Sequence, residues 1–173
     1  MKRWLVLIVL LGFLFPTLAW GAESVTQTLY VYGVVGTPQS YSETDSAPPW
    51  GYGKLRMIKL AVVCDGAGAL TAEDLAWDID GWIIKVEVVA GGTAPDTDYN
   101  VTLIDDQGID VIGAVLDGIS GSVALYSRLP QVNTGTGSTD VYGPALTAGA
   151  LSFDVVDNTT ADATLTVYVY YVQ

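Results

Sequence analysis

Gly81-Trp-Ile-Ile-Lys-Val-Glu-Val-Val-Ala90 and, after a short polar break, Tyr99-Asn-Val-Thr-Leu-Ile-Asp105 decide the fold class. Both are rich in β-branched and aromatic residues and alternate with a period of two, as a half-buried strand does. Along the first, Trp82, Ile84, Val86 and Val88 fall on one face, and Ile83, Lys85 and Glu87 on the other, which reads as solvated. Along the second, Tyr99, Val101 and Leu103 alternate with Asn100, Thr102 and Ile104.

The same texture extends in both directions. Residues 25–35, 54–64, 122–127, Leu151–Val156 and 163–172 read as further strands, separated by Gly, Asp, Asn and Pro clusters. Asp106-Gln107-Gly108 reads as a turn, with 109–112 returning as a hairpin partner or an irregular piece. Residues 37–53 form a polar loop containing Pro38, Pro48 and Pro49. Residues 71–77 allow one helical turn, with Thr71 as N-cap and Asp74 three positions on. The sum is an all-β chain of about eight strands, an antiparallel two-sheet β-sandwich of jelly-roll-like type.

The two ends echo each other. Leu29-Tyr-Val-Tyr32 matches Val167-Tyr-Val-Tyr170. This pattern predicts that the terminal strands share a sheet, with Tyr30 and Tyr32 near Tyr168 and Tyr170. Such a tyrosine row is either an interaction surface or a cover for the sheet edge.

Residues 1–22 have the layout of a secretory signal peptide: Lys2 and Arg3, an apolar run, then Pro16 and small residues. The alternative is an uncut membrane anchor over 4–20, short for a bilayer span. The body, 23–173, is one domain's worth of chain with room for a real core. Cleavage would make the protein exported, extracellular or periplasmic. It would remove two of the seven basic residues and leave five against nineteen acidic ones, a formal charge of −14. So acidic a surface repels phosphate backbones and argues against nucleic acid as a partner.

The chain contains no histidine and one cysteine. The usual general base and thiolate zinc sites are therefore missing, and no internal disulfide can form. Cys64 sits in the apolar run 60–64, as a small buried side chain or as a bridge between molecules. No motif places two carboxylates across a cleft, so the chain reads as non-enzymatic. For a metal, Asp78, Asp80 and Glu87 match calcium-loop positions 3, 5 and 12, but the alternative is a plain turn at Asp80-Gly81. The cluster Asp105, Asp106 and Asp110 carries the same two readings. Trp50 and Tyr52 lie in a Pro-rich aromatic segment suited to a sugar ring, a partner chain, or a plug for the sandwich end. Asn100 and Asn158 open sequons that matter only in a glycosylating host.

Residues 81–113 carry a resemblance. Gly92-Thr-Ala-Pro95, Asp98-Tyr-Asn100 and Asp-x-x-Gly-x-Asp at 105–110 are similar to a segment in small β-sandwich proteins of tailed bacteriophages, of virion structural type. The 54–64 and 168–171 strands are similar too. The resemblance implies a sandwich fold, a structural role with contacts to copies of itself or to other structural proteins, location in a virion, and no catalytic residues. The chain departs from that pattern in its export signal, since phage head and tail parts assemble in the cytoplasm. An exported surface or binding module, holding a glycan or a protein, is the competing expectation.

Overall fold

The computed structural model describes residues 22–32, 39–42, 55–121, 125–132 and 141–173. Thirteen strands are present among them. They are β1 (Ser24–Val31), β2 (Gln39–Ser42), β3 (Leu55–Val63), β4 (Leu70–Asp74), β5 (Gly81–Ala90), β6 (Thr97–Asp105) and β7 (Ile119–Ser120). There follow β8 (Leu125–Arg128), β9 (Gln131–Val132), β10 (Val141–Tyr142), β11 (Ala145–Thr147), β12 (Leu151–Val156) and β13 (Thr164–Val172).

Eight of these strands make the jelly roll. The large sheet contains β3-β13-β5-β8 and the small sheet is β4-β12-β6-β7. The pairs β3·β13, β4·β12, β5·β8 and β6·β7 are all antiparallel. They are the successive rungs of one long ribbon whose tip lies between β6 and β7, rolled so that alternate rungs fall in opposite sheets. β1 extends the large sheet beyond β3, and β2 beyond β1. β11 pairs with the first residues of β5, on the side where β8 pairs with its later ones. β9 and β10 form a separate short ribbon.

The core lies between the sheets and follows the period of two. Ile58, Leu60 and Val62 of β3 meet Val167, Val169 and Tyr171 of β13 within one layer. Tyr99, Val101 and Leu103 of β6 and Phe153 and Val155 of β12 form the facing layer. The polar register positions of β6 point outward, as the alternation requires. Ile112, Val115 and Leu116, from the irregular piece after β6, close one side of the core. Cys64 is fully buried and unbridged. Its thiol is pushed up to about 11, chiefly by burial, which leaves it inert. An intermolecular bridge through it is therefore excluded by access.

Four expectations change. Residues 39–42, inside the segment read as loop, form β2 on the free side of β1. Residues 71–77 are not a helical turn: Leu70–Asp74 is an edge strand on β12. Its end is fixed by buried Gln27, whose Nε2 donates to Asp74 O and whose Oε1 accepts from Ala76 N–H, both at 2.8 Å. Cross-strand pairing thus overrides a weak capping signal. The terminal strands share a sheet, but β3 runs between them.

The fourth change is on β5. Tyr170 pairs with Lys85, whereas Tyr171 pairs with Ile83, so Ile84 is the extra residue of a β-bulge. The bulge inverts the alternation on its N-terminal side. Ile83 enters the core with no exposure, and Trp82 turns out with 49 % exposure.

Candidate functional site

The tyrosines fall on the outward face of the large sheet. On β3 the core-facing residues are Ile58, Leu60 and Val62, so Met57, Lys59, Ala61 and Val63 face outward. Tyr30 and Tyr170 flank Met57 from either side. Thr28 and Tyr168 flank Lys59 in the same way, and Thr26 and Thr166 flank Ala61. Tyr30 and Tyr32 are therefore not direct neighbours of Tyr168 and Tyr170; the two pairs stand two strands apart, about 10 Å. The rings are half-buried and shelter Met57, which is nearly inaccessible. The Tyr32 hydroxyl lies 3.8 Å from Met57 Sδ.

Glu87 belongs to this face and not to a calcium loop. It pairs with Tyr168 and accepts from the Tyr170 hydroxyl at 2.8 Å. Lys85 Nζ is 2.5 Å from its other oxygen and 5.1 Å from the centre of the Tyr170 ring. Burial raises the Glu87 carboxyl, but the bonds from Lys85 and Tyr170 outweigh it and hold the group below its ordinary value. The Tyr170 hydroxyl is raised by burial first and by Glu87 second.

Asp80, by contrast, sits just before β5 and accepts from Gly149 N–H at 3.0 Å. Seven residues of extended chain, about 20 Å, separate it from Glu87. The expected set Asp78, Asp80 and Glu87 therefore does not converge. Asp105 Oδ1 accepts from Gln107 and Ile109 N–H, and Asp110 caps Leu103, Ile112 and Ala114 N–H. Those carboxylates form turns. Among the described residues no three candidate ligands meet in a metal-sized group. Trp50 and Tyr52 lie outside the described residues.

Two raised carboxyls, Asp154 on β12 and Asp117 between β6 and β7, carry no sequence signal. Asp154 on β12 faces Thr102 of β6. Its Oδ1 is buried with no hydrogen-bond partner among the described residues. Burial raises its carboxyl above the ordinary value, against a backbone bond that lowers it, and the charge of Glu23 adds to the rise. Asp117 is raised by burial and by Asp110 and Asp157. A carboxyl raised in the folded state stabilises below its unfolded pKa and loses that contribution as pH rises through the folded one. Stability should therefore fall as pH climbs from the ordinary Asp range, about 4, to neutrality. Asp154→Asn should raise the neutral-pH melting temperature and flatten that slope in thermal scans. An unchanged slope would mean Asp154 is not a source of it.

Exposed apolar side chains stand along the free edge of β5, Leu146 opposite Trp82 at one end and Leu125 opposite Val89 at the other. Trp82 of β5 pairs with Leu146 of β11, which is 65 % exposed. Leu125, Leu129 and Tyr142, each about half exposed, belong to β8, the residue after it, and β10. Of these, Leu125 stood in the strand read at 122–127, and Trp82 stood where the alternation gave a facing, which the bulge reversed. No family model, curated protein or solved structure matches the chain.

Proposed function

We propose that the protein is a non-enzymatic structural or assembly protein, a component of a virion or virion-like particle, exported by its N-terminal signal and working through contacts between its own copies. The apolar rim along β5 carries the reading. Of the six large apolar residues that stand exposed among the described residues, three, Trp82, Leu146 and Leu125, belong to β5 or to the strands paired with its free edge. Clustered exposed apolar side chains mark interaction surfaces, and a short exposed edge such as β11 offers backbone groups to a partner.

Charge supports the same location. β5, β8 and β11 carry one acidic residue, Glu87, out of nineteen in the chain, and Lys85 neutralises it. Contacts at this side bring few carboxylates together, Asp80 just before β5 being the exposed one near Trp82. Because each copy is strongly acidic, association should tighten as salt rises.

The test uses the chain from residue 23 onward, in sedimentation runs over a concentration series and in electron micrographs. Concentration-dependent oligomers and regular rings, filaments or lattices are expected. Replacing Trp82 and Leu146 by Ser should weaken association about a hundredfold, as loss of two central apolar anchors does. A monodisperse monomer at high protein concentration and high salt would overturn the reading.

A further inference from the structure

The outward face of the large sheet carries a second feature, away from the β5 rim. Every outward position along β1 and its extension bears a hydroxyl: Ser24, Thr26, Thr28, Tyr30 and Tyr32. The outward positions of β13 repeat the pattern with Thr164, Thr166, Tyr168 and Tyr170. Both strands are antiparallel to β3, so they run parallel to each other and in step. Thr26 stands level with Thr166, and Tyr30 with Tyr170. Between these walls, about 10 Å apart, β3 supplies the floor. Ala61 and Val63 are short, and at that end the face dips into a cavity of about 270 Å³ lined by Ser24, Thr26, Thr164 and Thr166.

Lys59 stands midway along the floor and has no ion-pair partner among the described residues. Lys59 is the outward position of β3 next to Ala61, at the edge of that cavity, and on a protein with nineteen acidic residues an unpaired cation there selects an anionic group. The walls select what carries it. Hydroxyls both donate and accept, and the tyrosine rings at the other end offer flat apolar surface with a polar tip. β3 is hydrogen-bonded on both edges, so a peptide cannot add to it as a strand.

We propose that this groove binds a carboxylated polysaccharide lengthwise along β3, with a uronate carboxylate on Lys59 and sugar hydroxyls on the two hydroxyl walls. This goes beyond the assembly reading and places a ligand on a different part of the sheet. The net acidic charge repels a polyanion as it repels a second copy, and physiological salt, with a screening length of about 8 Å, confines that repulsion to charges near the groove.

Calorimetric titration of the chain from residue 23 with polygalacturonate, dextran and poly-L-glutamate tests the assignment. Polygalacturonate should bind, with dextran and polyglutamate at least tenfold weaker. Lys59→Gln should weaken binding about tenfold, the scale of one charged hydrogen bond. Ala61→Leu, which fills the trough floor, should weaken it comparably. Arg128→Gln, on β8 and two strands beyond the β13 wall, should change it less than twofold. Absence of binding, equal binding of polyglutamate or dextran, or equal sensitivity to Lys59→Gln and Arg128→Gln would each overturn the assignment.

Discussion

Asn158→Ala should destabilise the fold by about 4 kcal/mol and lower the melting temperature by about 10 °C. Asn158 is 4 % exposed, and all of its polar capacity is used. Nδ2 donates to Gly68 O at 2.5 Å and to Thr160 O at 3.2 Å. Oδ1 accepts from Asp96 N–H at 3.0 Å and Thr160 N–H at 3.2 Å. Asp96 answers by accepting from the backbone and hydroxyl of Thr159. One side chain thus ties together the β3–β4, β5–β6 and β12–β13 connections, three places where the ribbon crosses between sheets.

Truncation strands Gly68 O and Asp96 N–H in a buried setting, at about 1–3 kcal/mol each. The whole domain commands only about 5–15 kcal/mol, so the loss is a large share of it, and in a domain of this size each kcal/mol is worth about 2–4 °C. The contact also requires glycine at 68: φ there is +92°, and a Cβ would stand 2.6 Å from Asn158 O. Asn158→Asp should be nearly as harmful at neutral pH, since it faces a carbonyl with a carboxylate, and should recover in acid. A loss of less than about 1 kcal/mol in urea unfolding of Asn158→Ala would show that the loops hold without it.

Asn158 also shows where sequence reading stops. Seen alone, Asn158-Thr-Thr160 is a glycosylation sequon and a turn. Its role depends on partners 62 and 90 residues away in the chain, which no local pattern encodes. Periodicity recovered what is local: β6 has the facing expected, β12 has the bounds expected, and β3, β5 and β13 lie within a residue of where the sequence put them. The hydroxyl-bearing repeat at the two ends was legible as a shared sheet. The insertion of β3 between those strands was not, because pairing order is a long-range property. β2 was missed because Gln39-Ser-Tyr-Ser42 has little apolar signal and exists as a strand only against β1. The apolar rim was missed for a related reason: the strand read at 122–127 overlaps β8 without giving its facing, and β9 to β11 are too short for alternation to identify.

Deleting Glu87 should cost about 4 kcal/mol or more, while deleting Ile84, three residues away on the same strand, should cost about 1 kcal/mol. Both remove one residue from β5, and a one-residue slip ordinarily turns every later side chain to the wrong face. Ile84 is the bulge residue, however. Without it Lys85 still meets Tyr170, Ile83 still meets Tyr171 and Trp82 still meets Val172, now in unbroken alternation. What disappears is one half-buried side chain and a kink.

Glu87 separates Val86 and Val88, both core-facing. Removing it leaves them adjacent, and one must turn outward. If Val88 turns, its burial is lost and the pairing of β5 with β8 goes with it. If Val86 turns, the bulge can absorb the slip only by pushing Lys85 into the position opposite Val169. That exchanges a buried valine, worth about 1.5–3 kcal/mol, for a lysine whose charge has no partner there. Equilibrium unfolding in urea separates the two deletions. Equal loss in both would mean that Ile84 is not a free insertion but a member of the strand in its own right. In that case the outward turn of Trp82, and the apolar rim built on it, would have to be held by something other than the bulge.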